Sequence, residues 1–346
     1  MSLILASLLL SARPKGLPAL HIKGIQIVTD GGVPVRLRGV NVASLEWSSD
    51  GEGHVLETLR VATEDWKSNI VRIPLSQDRW FGKAAEQKDG GVAYRALVKR
   101  AVEVANAHGA YTMLDLHWND AGEWGKNIGQ HKMPDVLSID FWKECAKVYK
   151  NRPGVWFDLY NETHDITWDL WKNGGEVEET RRVGAGQGAF TPVKYQAPGM
   201  QTLLDTIRKA GANNVVVAGG LDWAYDLSGF LKGYALKDTK RGRGLIYACH
   251  AYNNKGDAVP IFLAKLDAAL PKIPVIVSEF GDQARGAARN EPTPWIKSVL
   301  AAIEERRCNW TAWDLHPAAG PTLISDWNYT PTPSFGVLVK AALASP

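Results

Sequence analysis

Two glutamates carry most of the chemistry this chain can do. Glu162 closes the run VWFDLYNE and Glu279 sits in PVIVSEFG, so each follows enough apolar residues to arrive at the end of a buried strand. A carboxylate there costs desolvation free energy unless a function or a partner offsets it. One such glutamate is equally well explained by a structural ion pair, with Arg72 of VRIPL as the base. Two of them, with His250 and Tyr252 closing an intervening run, fit that account poorly. The chemistry that needs two opposed carboxylates is glycosidic cleavage: one protonates the leaving oxygen, the other attacks the anomeric carbon or activates a water. Further polar and aromatic residues fall at comparable run ends: Asn41 and Trp47, His117 and Trp118, Asn161, Trp223 and Trp313.

The elements that must position these residues read as alternating strands and helices. Apolar, β-rich runs cover residues 35–42, 69–75, 110–118, 155–162, 214–220, 245–252, 274–280 and 309–316. Most are near-continuous, as in VVVAGG, which is how parallel strands covered by helices read. Amphipathic helical patterns such as YRALVKRAVEVANAHG and MQTLLDTIRKAGANN separate them, several ending in Gly or Asn. Eight such units predict an α/β fold, a single (β/α)8 TIM barrel spanning 21–346, whose chemistry collects at the C-terminal strand ends. A doubly wound open sheet should carry a Gly-rich turn after its first strand, and Val42 leads instead into Ala43-Ser44-Leu45-Glu46-Trp47. The widest gap follows the fourth strand, where residues 164–199 read as a long loop insertion on the top face. Trp168 and Trp171 at its start fit a cleft lining and a loop anchor equally well, whereas Trp66, Trp142 and Trp295 lie in helical patterns and read as packing.

Composition narrows the function further. Among 346 residues, 40 Lys and Arg against 37 Asp and Glu leave a net charge of +3, too even for a chain that coats nucleic acid or an anionic membrane. Three cysteines without a CxxC pair offer neither a disulfide framework nor a cysteine zinc site. Residues 1–20 hold a short apolar stretch, MSLILASLLL, that fits either the remnant of a leader or an apolar segment docked on the domain, and is far short of the roughly 20 residues of a membrane span. Tryptophan is unusually frequent, at 14 against 10 Tyr and 8 Phe. Large flat aromatics beyond the needs of a core suit a surface on which sugar rings stack.

Seven short segments, in order, carry a resemblance. LRGVN at 37–41, VRIPL at 71–75, DLHW at 115–118, YNE at 160–162, HAY at 250–252, SEFG at 278–281 and AWD at 312–314 together resemble glycoside hydrolase family 5. The resemblance implies a retaining β-glycosidase with Glu162 as acid/base and Glu279 as nucleophile, their carboxyl groups about 5 to 5.5 Å apart. It implies that Asn161 bonds the sugar 2-hydroxyl, that Arg72 and Tyr252 hold the nucleophile, that His117 and His250 line the same subsite and that Trp313 is its stacking floor. Trp47 and Trp118 follow as cleft aromatics by strand position. The expected activity is endo-acting cleavage of β-1,4-glucan, with mannan, mixed-linkage glucan and xyloglucan as alternatives on the same mechanism. The expected partner is a β-linked polysaccharide or oligosaccharide met by a monomer outside the cytoplasm, with no cofactor, metal, nucleic acid or membrane. A metal-dependent barrel hydrolase would draw on His117, His250, Asp115 and Glu162 but lacks an HxH pair on the first strand. A non-catalytic sugar-binding barrel should have lost one of the two glutamates, and both are present.

Overall fold

The computed structural model describes residues 16–182, 190–255, 259–282 and 290–345; the leader-like stretch 1–13 lies outside them. In chain order the strands are β1 (Leu20–Lys23), β2 (Gln26–Thr29), β3 (Arg38–Asn41), β4 (Ile70–Ser76), β5 (Tyr111–Trp118), β6 (Val155–Asp158), β7 (Gly175–Arg182), β8 (Phe190–Ala197), β9 (Val216–Gly219), β10 (Leu245–Tyr252), β11 (Val275–Gly281) and β12 (Asn309–Ala312). Eight of them, β3 to β6 and β9 to β12, close a barrel in sequence order, every adjacent pair parallel and β12 returning to β3. These are the eight runs singled out in the sequence. Helices such as Val92–Ala107, Ser138–Tyr149, Met200–Lys209 and Pro294–Glu305 cover the outside.

Side-chain alternation along each strand divides the barrel into two environments. On β5, Leu114 and Leu116 face the helices with Val71, Ile73 and Phe157, while Tyr111 and Met113 enter the barrel and meet Ile70, Trp156, Val217, Ile246 and Ile276. Continuing by twos along the inward positions reaches Asp115 and His117 on β5, Arg72 on β4 and Asp158 on β6. The lower interior is therefore apolar and the upper interior polar, so buried charge is confined to the end where the loops meet. The antiparallel pair β1 and β2 turns at Gly24 and adds Leu20 and Ile27 to the apolar layer. Leu20, grouped by the sequence reading with the N-terminal segment, thus opens the hairpin of the barrel floor.

The long insertion expected after the fourth barrel strand, β6, carries secondary structure of its own. Thr167 Oγ1 accepts from Leu170 N and starts the helix Trp168–Asn173, after which β7 and β8 pair as an antiparallel ribbon from Gly175↔Ala197 to Arg182↔Phe190. Its strand period was hidden by charge: GEVEETRR buries Val177 and Glu179 and exposes Glu176, Glu178 and Thr180. At its neck Gly174 and Gly199 cross so closely that a Cβ on Gly174 would lie 2.3 Å from Ala197 O, and Gly174 has φ 82°. Glycines 184, 186 and 188 lie outside the described residues. Trp168 and Trp171 anchor the insertion: Trp171 is fully buried and donates to Gly219 O at 3.1 Å, and Trp168 packs on Phe230.

Candidate active site

The site is organised around Arg72, which β4 delivers to the centre of the polar layer with no exposed surface. All five of its N–H groups are engaged. Nε donates to Asp158 (2.9 Å), Nη1 to Asn41 Oδ1 (3.2 Å) and Glu279 Oε1 (2.5 Å), and Nη2 to Asn161 Oδ1 (2.8 Å) and Asp115 Oδ2 (3.0 Å). One guanidinium thus ties side chains from β3, β5, β6, the segment after β6, and β11. Replacing it with Met strands three carboxyl groups without their cation. We expect Arg72→Met to lose about 3 to 5 kcal/mol in urea unfolding, and a loss below about 1 kcal/mol would contradict this role.

Glu279 reaches the mouth through an irregularity. Cys249 pairs with Val277 but His250 pairs with Glu279, so Ser278 is an extra residue on β11. Glu279 is 4% exposed and accepts from Arg72 and from Tyr252 Oη at 2.6 Å. Glu162 lies beyond the β6 ladder, which ends at Asp158 rather than continuing to 162. Asn161 N still donates to Leu116 O at 3.0 Å, keeping the chain pointed at the mouth. Burial holds the Glu162 carboxyl above the usual glutamate range, against the pull of the nearby Arg72 charge. One oxygen of Glu162, one of Glu279 and a ring nitrogen of His250 all lie within 4.8 Å of one another.

Burial pushes both site histidines down to about 3, so both are neutral. His250 Nε2 lies 3.0 Å from Ser278 Oγ and Nδ1 lies 2.9 Å from Glu162 Oε1. A ring hydrogen on Nε2 would be donated to Ser278 Oγ and leave Nδ1 to accept from Glu162 in its acid form. His117 carries the opposite tautomer, donating Nδ1–H to Asp115 Oδ2 at 2.5 Å and accepting at Nε2 from Asn161 Nδ2 at 3.2 Å. Its ring stacks on Trp313, centroids 5.4 Å apart.

The pocket at the mouth is lined by His117, Asn161, Glu162, His250, Tyr252 and Glu279, with Trp313 and Trp223 among its walls. Every sequence-derived candidate except two meets there or, like Arg72, directly behind it. Trp47 and Trp118 stand beside the pocket rather than in it, 6.4 Å apart, with Trp47 edge-on to His316. In the pocket wall Trp223 stacks on His164 at 4.4 Å under the Lys255 ammonium at 4.3 Å. Asp222, Trp223 and Ala224 all take left-handed φ near 58°, strain that clusters at functional sites. Lys255, Ser278 and Gln130 were missed in the sequence, the first and last lying in polar turns with no periodic signal. Asp158 was legible in principle, four residues before Glu162 at an inward strand position.

The donor set fits a metal poorly. Arg72 Nη1 already sits 2.5 Å from Glu279 Oε1, a fixed positive charge opposing a dication, and Asp115 Oδ2 is shared between Arg72 and His117.

Behind the β5 loop, Gln77 Nε2 donates to Asp135 at 3.0 Å and faces Asp120 at 3.4 Å. Burial pushes Asp115, Asp158 and Asp120 up to about 7 and Asp135 up to about 6. These carboxyls hold protons in the native state that the unfolded chain releases above pH about 4, so their contribution is lost as pH rises through 6 to 7. The two depressed histidines act oppositely, costing stability below about pH 6.5. Four carboxyls outweigh two imidazoles, so the urea midpoint is expected to be higher at pH 5 than at pH 8; the reverse order would refute the burial account.

Residues 28–319 match the family described as Cellulase (glycosyl hydrolase family 5), and the chain belongs to that family. It is similar to endoglucanase MaCel5A of Microbulbifer sp. (strain ALW1), 23% identical over 85% of this chain and 50% of the relative. It is also similar to endoglucanase CelA of Streptomyces lividans, 22% identical over 93% of this chain and 62% of the relative. The chain thus spans about half to three fifths of the length of these curated relatives. Among solved structures, β-glucanase SdGluc5_26A of Saccharophagus degradans in complex with cellotetraose superposes with a TM-score of 0.70 at 20% identity, covering 95% of this chain and 94% of that one. The catalytic domain of Thermobifida fusca endoglucanase Cel5A gives 0.66 at 17% identity, covering 94% and 97%.

Proposed function

We propose that this protein is a retaining β-glycoside hydrolase that cleaves β-1,4-linked glucan internally by double displacement. The observation that carries the reading is the pair of carboxylates: oxygens of Glu162 and Glu279 within 4.8 Å, one beside a neutral histidine and the other beside a cation and a phenol. Oxygens that approach this closely support the narrow spacing of a retaining site, roughly 5 to 5.5 Å between carboxyl groups, over the about 6.5 to 9.5 Å of an inverting one.

In the first step Glu279 attacks the anomeric carbon and forms a glycosyl ester as the glycosidic C–O bond breaks. Glu162 gives its proton to the departing oxygen. In the second, Glu162 as carboxylate takes a proton from water, whose oxygen displaces Glu279 and restores the β configuration. The positive charge that develops on the sugar in the transition state of each step faces the Glu279 carboxyl group as its bond to the anomeric carbon forms or breaks. Asn161, at the end of its Arg72 bond, is the donor to the 2-hydroxyl, and Trp313 is the floor. Cleavage within a chain is supported by aromatic residues in addition to Trp313: Trp223 in the pocket wall, and the pair Trp47 and Trp118, which follow the first and end the third barrel strand. The printed names of the relatives, endoglucanases, support the choice of glucan. A polymeric substrate sets the place of action outside the cytoplasm; among the described residues no helix is long and apolar enough to cross a membrane.

The test is release of reducing ends from carboxymethylcellulose, mixed-linkage glucan, xyloglucan, mannan and xylan, with and without chelator. Chelator-insensitive release of short oligosaccharides from carboxymethylcellulose is expected. Preference for mannan or xyloglucan would change the substrate but keep the mechanism, and chelator-sensitive cleavage would overturn it. The alkaline limb of kcat/KM should belong to Glu162 and fall above the usual glutamate range. A limb at the ordinary glutamate position would remove Glu162 as the acid.

A further inference from the structure

Gln130 follows the loop that leaves β5, where Asn119 and Gly129 exchange backbone hydrogen bonds of 3.1 and 2.9 Å. Its amide is engaged at both ends. Nε2 donates to the main-chain oxygens of Glu162 (3.0 Å) and His131 (3.1 Å), and Oε1 accepts from Asn161 Nδ2 at 2.9 Å. A flipped amide would set two NH2 groups together and one oxygen against two carbonyls, so this orientation is the only one the contacts allow. Asn161 is oriented in the same way: Oδ1 accepts from Arg72, and its two N–H groups go to Gln130 at 2.9 Å and His117 at 3.2 Å. The His117 bond is the longer and weaker of the two. A sugar hydroxyl therefore displaces that one most easily, while Gln130 keeps the amide plane of Asn161 in place.

The segment that carries Gln130 is held from the other side by the insertion. Glu179 on β7 is buried against His131 Nδ1 and accepts from Lys132 N at 3.1 Å. Tyr195 Oη on β8 accepts from Met133 N at 3.0 Å and donates to Met133 O at 3.1 Å. Tyr160 Oη, next to Asn161 in sequence, makes the same double contact with His131, at 3.1 Å each. Removing any of these side chains leaves buried backbone groups without partners, so the contacts fix position more than they add net stability.

We propose that Gln130 is a positioning residue for the Asn161 amide and the Glu162 backbone, and that the β7–β8 ribbon is the strut that holds Gln130 there. This deepens, and rests on, the glycosidase reading of the site. The two variants that test it are Gln130→Met, which keeps the volume and removes the amide, and Tyr195→Phe. On 4-nitrophenyl β-cellobioside, Gln130→Met is expected to lower kcat by at least about tenfold. KM should stay within about threefold and Tm within about 2 °C. Tyr195→Phe should raise hydrogen–deuterium exchange at residues 129–133 and lower kcat in the same sense. An unchanged kcat in Gln130→Met, or a loss confined to KM, overturns the positioning role. Unchanged exchange in Tyr195→Phe overturns the strut whatever the activity does. A wild-type protein silent on every β-glycoside overturns the glycosidase reading and the catalytic half of the proposal together, and exchange still decides the strut.

Discussion

Hydrolysis of β-glucan is expected to fall by at least about 10⁴-fold in Glu279→Ala, the scale on which loss of a covalent nucleophile is felt. Alanine has no oxygen to form the glycosyl ester, and the water that fills the gap is a far weaker nucleophile than the carboxylate it replaces. Binding should survive, because Trp313, Asn161 and His117 remain, so a cello-oligosaccharide titrated calorimetrically should keep its affinity within about threefold. The fold should survive as well: Arg72 loses one of its five contacts and keeps Asp115 and Asp158. Turnover within tenfold of wild type would remove Glu279 from its role.

The second large effect separates the two chemical steps. Glu162→Ala should still form the glycosyl ester from 2,4-dinitrophenyl β-cellobioside, whose leaving group departs without a proton, while cleavage of carboxymethylcellulose collapses. The ester then waits for water that lacks its base, and a burst of dinitrophenolate followed by slow turnover is expected. Azide needs no base and can occupy the space of the missing carboxyl. It should speed the slow phase by about tenfold or more and yield a β-configured glycosyl azide. Absence of both burst and azide acceleration would assign the acid/base role elsewhere.

Much of this site was legible because strands impose a period. His117, His250 and Arg72 each end or interrupt an apolar run, so their burial and common direction follow from strand spacing; the same kind of run brings Glu162 and Glu279 to the mouth without fixing their aim. What stayed hidden had other causes. Gln130 and Lys255 sit in polar turns, where residue type carries no direction. Glu279 owes its aim to the extra residue Ser278, a register shift that exists only relative to β10. The β7–β8 ribbon was masked because its outward face and part of its inward face are both charged, so the alternation of hydrophobicity that marks a half-buried strand was absent. Trp168 and Trp171, undecided from spacing, are decided by contacts with Phe230 and Gly219 that no local pattern encodes.

The saturation of Arg72 bears on how such a protein can change its diet. Four of its five acceptors are carried by barrel strands or the residues directly behind them, and the fifth, Asn161, follows β6 by three residues. The alignment of Glu279 is thus written into barrel closure, whereas the rim residues Trp47 and Trp223 make none of these contacts with Arg72. Exchanging the rim around Trp47, Trp223 or the 316–329 stretch should retune which glycan is accepted without rebuilding the machinery that breaks the bond. The exception is the span from 127 to 133: through Gln130 it is a rim segment wired to the hub, and grafts there should change rate as well as preference.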